Sequence, residues 1–359
     1  MSVAGSTIIG SNIGSPGAQV TLGEVHAGPV EPVSVAVASH HDPAAIMVTG
    51  SSGFIGSHST ALLSRRLERP IYGLDCTHPT GTPEFVPLTA DIAQRGHESD
   101  LAVIAREVSP PIVVHLAARA DVATDLGDIS AMMDVNVGGT MNVLTAFNPR
   151  LFILASTGAV YGGAPTHRCE EDPLMPESMY GHSKLAAEAC VRTWARKTGN
   201  SAYLLRFGNV IGPGCRGLIP YLVQHALQHP GGDVPARMRG NGRLRRSYLP
   251  VWQVCYAIAS LIQAHDLAPG QVETLNVACH CDLSNGEVAA EVAEALQGVG
   301  FDLAVDAGHD KLPEECQANL LTPARLETVL DENMSLEPTV IRAEIRRSTY
   351  SFITEGQCG

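Results

Sequence analysis

Ile46-Met47-Val48-Thr49-Gly50-Ser51-Ser52-Gly53-Phe54-Ile55-Gly56 is the stretch on which the fold turns. A short apolar run stops at Thr49-Gly50 and reads as a buried strand. Glycines then recur every third residue, and helical periodicity follows over 57–67. Gly50 permits a tight turn, Gly53 lets the backbone approach a pyrophosphate, and Gly56 lets the helix pack closely on the strand. Phe54 and Ile55 belong to the same cofactor-binding turn. The helix start offers unpaired N–H groups and the positive end of its dipole to that pyrophosphate. A glycine triplet alone is weak evidence, but one set between a strand and a helix is much stronger.

Working outward, strands are expected at 71–74 (closed by Asp75), 112–116, 151–155 and 202–206. Helices are expected over 101–108, 132–147 and 178–198. Strands alternating with helices imply parallel β-α-β units with right-handed crossovers. The strands are continuous apolar runs, as a sheet covered on both faces requires. The expected fold class is therefore α/β, a Rossmann-type doubly wound parallel sheet. After Gly208 the regularity falls, and Gly, Pro and Arg become frequent up to Arg246. A helix over 249–265, a strand over 274–278 and a helix over 286–296 follow, with no fixed-period repeat. We expect a dinucleotide-binding domain over 46–207 with contributions from 248–278. A smaller, interleaved α+β substrate-binding domain takes 208–247 and 279–345, and 346–359 forms a tail. Residues 1–45 read as a poorly ordered extension with a short strand at 33–37.

The formal net charge of −13 over 359 residues disfavours a nucleic-acid partner, because an acidic surface repels phosphate backbones. With 45% apolar and 17% charged residues the composition is that of a globular enzyme. Nine cysteines with no Cys-x-x-Cys pair argue for reduced thiols and a cytoplasmic location, not a disulfide framework. Cys279-His280-Cys281 reads as a strand end with small buried residues, and no metal is expected. No apolar run is long enough to span a membrane. The first 45 residues carry no Lys or Arg, which fits neither a secretory signal nor a transit peptide.

Asp75, at a strand end, is placed to take ribose hydroxyls and favours NAD over NADP, since an acid there repels the extra phosphate. Asp91-Ile92 is a candidate for the adenine amino group. Leu116-Ala117-Ala118, after His115, offers small residues against which the cofactor lies. Tyr180-Gly181-His182-Ser183-Lys184 puts a phenol and an ammonium on one helix face. A phenol titrates near pH 10 and is a poor base at neutrality. A neighbouring ammonium favours the phenolate, and a cationic nicotinamide adds to the effect. The pair is therefore a candidate general base for removing a hydroxyl proton as a hydride leaves the carbon. Ala155-Ser156-Thr157-Gly158-Ala159-Val160-Tyr161-Gly162 ends a strand 25 residues upstream and delivers a hydroxyl to the same place.

Together with Asn136-Val137-Gly138-Gly139-Thr140 and Arg206-Phe207-Gly208-Asn209-Val210-Ile211-Gly212-Pro213, these motifs resemble the extended short-chain dehydrogenase/reductase family. The resemblance is to its NAD-dependent nucleotide-sugar epimerase/dehydratase group and covers roughly 46–325. It implies Thr157, Tyr180 and Lys184 as a catalytic triad, with Ser156 the alternative if the register slips by one. It places Asn136, Tyr180 and Lys184 at the cofactor. It places Thr157, Asn209, Leu218 and Arg246 at a nucleotide-diphosphate sugar. An arginine suits the diphosphate because its fork makes bidentate bonds, and Arg239, Arg243 and Arg245 surround Arg246. Related enzymes often pair such helices as those over 132–147 and 179–198 into a homodimer, and core packing within one subunit explains their apolar faces equally simply.

Three departures from the family mark the substrate side. Ser247 replaces the usual Asp, Trp252-Gln253 replaces an acidic pair, and no late arginine matches around 309–315. Family dehydratases carry an acidic pair directly after the catalytic Thr, where this chain has Gly158 and Ala159. The decarboxylating branch has a segment that 167–179 does not resemble. A 4-epimerase is the leading expectation. Dehydration or net oxidoreduction on the same scaffold, and a non-catalytic cofactor-binding protein, are the alternatives.

Overall fold

The computed structural model describes residues 44–79, 82–96, 99–120, 125–238, 240–306, 308 and 318–357. The strand expected at 33–37, Arg239 and the segment 309–315 lie outside the described residues. In chain order the elements are β1 (Ile46–Thr49), α1 (Phe54–Arg66), β2 (Ile71–Asp75), β3 (Val86–Thr89), α2 (Asp100–Glu107) and β4 (Ile112–His115). Next come α3 (Leu126–Met133), α4 (Thr140–Phe147), β5 (Leu151–Thr157), β6 (His167–Arg168), α5 (Met179–Thr198), β7 (Ser201–Phe207) and β8 (Asn209–Ile211). They are followed by α6 (Leu218–Gln228), β9 (Ala236–Arg237), β10 (Arg245–Pro250), α7 (Val251–Gln263) and β11 (Val272–Val277). The remaining elements are β12 (Asp282–Ser284), α8 (Asn285–Gln297), β13 (Val305–Asp306), β14 (Ala318–Leu321), α9 (Ala324–Leu330) and α10 (Pro338–Gln357).

Seven strands form one parallel sheet in the order β11-β7-β5-β4-β1-β2-β3. The order reverses between β1 and β4, which opens a crevice at the carboxyl ends of these strands. The alternation of side chains divides the apolar residues between two cores. Ile46, Val48, Ile112, Val114, Leu151 and Ile153 pack on one face with Leu63 of α1 and Val254 and Ile258 of α7. Met47, Val113, Phe152 and Leu154 pack on the other with Leu101, Val143, Leu144 and Val191 of α2, α4 and α5. Each such side chain, fully buried, contributes about 1.5–3 kcal/mol. The fold class expected from the sequence is the one observed.

A second sheet runs β12-β10-β14-β6, and β8 pairs with the last three residues of β10. It aligns Tyr248 of β10 with Asn209 of β8. The expected helix at 249–265 begins at Val251 instead, because Leu249 and Pro250 complete β10 and Pro250 is the extended helix cap. The expected helix at 132–147 begins earlier, at Leu126, where Asp125 caps it by accepting the Asp128 N–H. A π-helical turn at Asp134–Gly139 then joins α3 to α4. The short strands of the second sheet, α6 and α10 were not anticipated. Strands of two to four residues carry too little periodicity to be read alone. Among the described residues no helix is long and apolar enough to cross a membrane.

Candidate active site

The turn between β1 and α1 has the tightness its glycines require. Gly50 sits at φ +72°, and a Cβ there would lie 2.6 Å from the Ala117 nitrogen. A Cβ on Gly56 would lie 1.9 Å from the Gly50 carbonyl oxygen. Gly53 caps α1 with no side-chain acceptor for the first-turn N–H groups. The turn itself borders a cavity of about 540 Å³ lined by Gly50, Gly53, Asp75, Asp91, Ile92, Leu116, Ala117 and Ala118, with Arg216 also on its wall. Asp75 is held rigidly: the Ser52 N–H donates to its Oδ2 at 2.9 Å and the Thr77 N–H to its Oδ1 at 3.1 Å. The Ala93 N–H fixes Asp91 Oδ1 at 2.9 Å.

Phe54, Ile55 and Gly56 do not line that cavity. Phe54 and Ile55 pack on the core, and Gly56 serves the contact between α1 and the turn. Asn136 supports the wall instead of forming it. Its Oδ1 accepts the Arg119 N–H, and its Nδ2 donates to the Arg119 carbonyl and to Ser183 Oγ, all at 2.8–2.9 Å. Beneath it runs a directed chain. Ala117 N–H donates to Thr49 Oγ1, which is 2.8 Å from His115 Nδ1, and His115 Nε2 is 3.1 Å from Thr140 Oγ1. Thr140 donates its own proton to the Asn136 carbonyl, so the His115 Nε2 carries the hydrogen. Burial holds this imidazole neutral, its pKa lowered to about 3.

A second cavity, of about 250 Å³, brings together Thr157, Asn209 and Arg246 with Glu177, Ser178 and Asn319. Thr157 ends β5, and its Oγ1 accepts the Ala159 N–H at 3.2 Å to start a short 3₁₀ turn, Gly158–Tyr161. Ser156 points the other way and donates to Glu188 Oε1 at 2.6 Å. Leu218 opens α6 and packs on the core, outside the lining of this cavity.

Tyr180 and Lys184 lie one turn apart on α5, which packs on β5 and on the 3₁₀ turn. Neither lines either cavity. The expected lowering of the phenol pKa is not found. Burial pushes Tyr180 up to about 12 and Lys184 down to about 8, with Glu188 opposing the latter. Desolvation penalises the charged form of each group.

The pair rests on an ion pair that sequence reading missed. Arg206 of β7 makes a bidentate contact to Glu188 of α5, Nε–Oε1 at 3.0 Å and Nη2–Oε2 at 2.8 Å, with both side chains 2% exposed. Arg206 also donates to Tyr161 Oη at 2.8 Å, and Tyr161 donates to Asn276 Oδ1 of β11. The only sequence signal was a Glu one helical turn beyond Lys184.

The departures on the substrate side have local explanations. Ser247 is buried, donates to Asp282 Oδ1 at 2.6 Å and accepts the Leu321 N–H, so a carboxylate arrives from β12. Gln253 is also buried and donates to the Met334 carbonyl. Cys279 donates to the Tyr248 carbonyl, and His280 pairs with Glu327.

The model of the family described as NAD dependent epimerase/dehydratase matches residues 46–278. The chain belongs to that family. It is 27% identical over 285 residues to the low-salt glycan biosynthesis protein Agl12 of Haloferax volcanii, covering 74% of this chain and 88% of the relative. It is 26% identical over 276 residues to dTDP-glucose 4,6-dehydratase of Neisseria meningitidis serogroup B, covering 70% and 76%. The solved structure of Thermus thermophilus UDP-glucose 4-epimerase in complex with NAD superposes with a TM-score of 0.72 at 26% identity, covering 86% of this chain and 99% of that one. The cofactor of the family is NAD, and the first cavity suits it. Two glycine positions admit no Cβ, a helix start is uncapped, and a fixed carboxylate stands at the end of β2. Gly50 and Gly53 would carry the pyrophosphate, and Asp75 the adenosine ribose.

Proposed function

We propose that this enzyme is a nucleotide-sugar 4-epimerase. The observation that carries the reading is the wall of the second cavity. Thr157 stands beside Arg246 and Asn209, while the two positions after it, Gly158 and Ala159, hold no acid or base. NAD, which Gly50, Gly53 and Asp75 would hold, would supply a reversible hydride acceptor for C4. Tyr180 takes the C4 hydroxyl proton as the C4–H electrons leave, and a 4-keto sugar results. Thr157 donates a hydrogen bond to the same oxygen. Lys184, cationic below about pH 8, stabilises the phenolate that burial otherwise disfavours. Arg246 and Asn209 hold the diphosphate while the keto sugar turns over. Return of hydride and proton to the opposite face gives the epimer, with no atom gained or lost.

Dehydration is the second reading, supported by the similarity to dTDP-glucose 4,6-dehydratases. The deciding experiment incubates the purified protein with UDP-, GDP- and dTDP-sugars without added NAD and analyses products by mass spectrometry. An isobaric product of changed retention is expected. A product lighter by one water would replace this reading with dehydration. Tyr180→Phe is expected to lower turnover by at least ~10²-fold.

A further inference from the structure

The second cavity contains a residue that the proposed reaction does not use. Glu177 stands three residues before Tyr180 and lines the same wall as Thr157, Asn209 and Arg246. It is held there: the Gly163 N–H donates to its Oε1 at 3.0 Å. The turn that presents Gly163 depends on Gly162, at φ +73°, where a Cβ would lie 2.3 Å from the Met175 carbonyl oxygen and 3.4 Å from Glu177 Oε1. The backbone that follows Thr157 and the carboxylate are therefore built against one another.

Charge gives the arrangement a consequence. Among the described residues lining the cavity, Arg246 carries the one positive charge and Glu177 the one negative charge. Glu177 also acts electrostatically on Arg246. A diphosphate engaging Arg246 occupies that cation. A sugar hydroxyl can then donate a charge-assisted bond to Glu177, whereas a carboxylate on the sugar would face it with no second cation among those lining residues.

We propose that Glu177 is a specificity-determining residue that selects a neutral hexose over a uronic acid at the sugar subsite. This rests on the nucleotide-sugar reading above. Rejection of the wrong ligand by a fixed like charge is a recognised route to specificity.

The test is calorimetric binding to the NAD-loaded full chain, kept apart from turnover. The probes are nucleotide-matched pairs, UDP-glucose with UDP-glucuronate and dTDP-glucose with dTDP-glucuronate, with UDP and dTDP alone as controls. The wild type is expected to bind the neutral sugar at least about fivefold more tightly. Glu177→Gln keeps an acceptor for the Gly163 N–H and is expected to bring the ratio close to one, any gain in affinity for UDP or dTDP being common to both members of each pair. Glu177→Lys is expected to reverse the preference. Equal wild-type affinities, or an unchanged ratio in a Glu177→Gln protein with normal NAD content, would overturn the assignment. Should that variant not fold, the wild-type ratio is measured from ~0.01 M to ~1 M salt. It should collapse as the Debye length falls from about 30 to 3 Å, and a salt-independent ratio sinks the idea. If only the 4-epimerase reading is wrong, the products change and the binding ratios do not. If no nucleotide sugar binds, both readings fall together.

Discussion

At the residue scale, the three motif glycines are not equivalent. Gly56 faces the Gly50 carbonyl at a distance no Cβ can occupy, whereas a Cβ on Gly53 would find its nearest neighbour at 3.2 Å. Gly56→Ala is therefore expected to cost about 1–3 kcal/mol or more, and Gly53→Ala less than ~1 kcal/mol. Thermal unfolding with and without NAD separates the two, with Gly53→Ala losing more of the stabilisation NAD confers than of intrinsic stability. His115 gives a pH-dependent counterpart. Its folded pKa, about 3, lies below its unfolded value near 6.5. Between these values the unfolded chain binds a proton that the folded chain refuses, so stability is lost as pH falls from 6.5 toward 3. The ceiling is on the order of 5 kcal/mol. Urea unfolding across this range should show a shallower acid loss in His115→Gln than in the wild type, after a cost at pH 7 from the broken link to Thr49 and Thr140. Parallel slopes would show that the imidazole does not contribute.

At the scale of elements, α5 is more than the carrier of Tyr180 and Lys184. Glu188, one turn beyond Lys184, ties α5 to β7 through Arg206 and to β5 through Ser156, and Tyr161 extends the tie to β11. Removing one buried partner strands the other charge. Arg206→Met is expected to cost about 3–5 kcal/mol, whereas Arg206→Met combined with Glu188→Leu should recover much of the loss. Chemical denaturation of the single and double variants measures this. A double variant no more stable than the single one would mean that the pair acts through hydrogen bonds to Ser156 and Tyr161, not through charge. The same logic applies to the expected effect of Lys184 on Tyr180. The sequence spacing placed the two groups correctly one turn apart on α5, but it carries no term for the desolvation that raises one and lowers the other.

At the scale of the whole molecule, one apolar core runs from the parallel sheet through Tyr248, Leu283, Val292 and Ile345 of the second half, and the substrate side adds charged clamps to it. The parallel sheet is held by two apolar cores. On the substrate side, α10 is clamped to α8 by Arg342 and Arg346, which both bind Glu291, itself 6% exposed, while Arg346 also reaches Glu294. Glu291→Ala is expected to raise hydrogen exchange in 338–354 and 285–297 by an order of magnitude or more, with β1, β4 and β5 little changed. Uniform acceleration across the chain would show instead that the two regions open as one unit.

The sequence by itself determined the parts whose physics is local. A glycine turn after an apolar run, strands alternating with helices, and a Tyr and Lys at helical spacing carry their meaning in their order along the chain. They were enough to assign the fold class, the cofactor and the family. Only the tertiary structure decided the rest, because the partners are distant in sequence. Asp282 reaches Ser247 from 35 residues away, Arg206 finds Glu188 and Tyr161 across three elements, and Glu177 meets Arg246 in one cavity. Likewise Asn136, read as a cofactor contact from its motif, is engaged by Arg119 and Ser183. Periodicity records which face of an element is buried. Which polar group waits on the far side, and whether desolvation or attraction prevails between two charges, is settled only when the chain has closed.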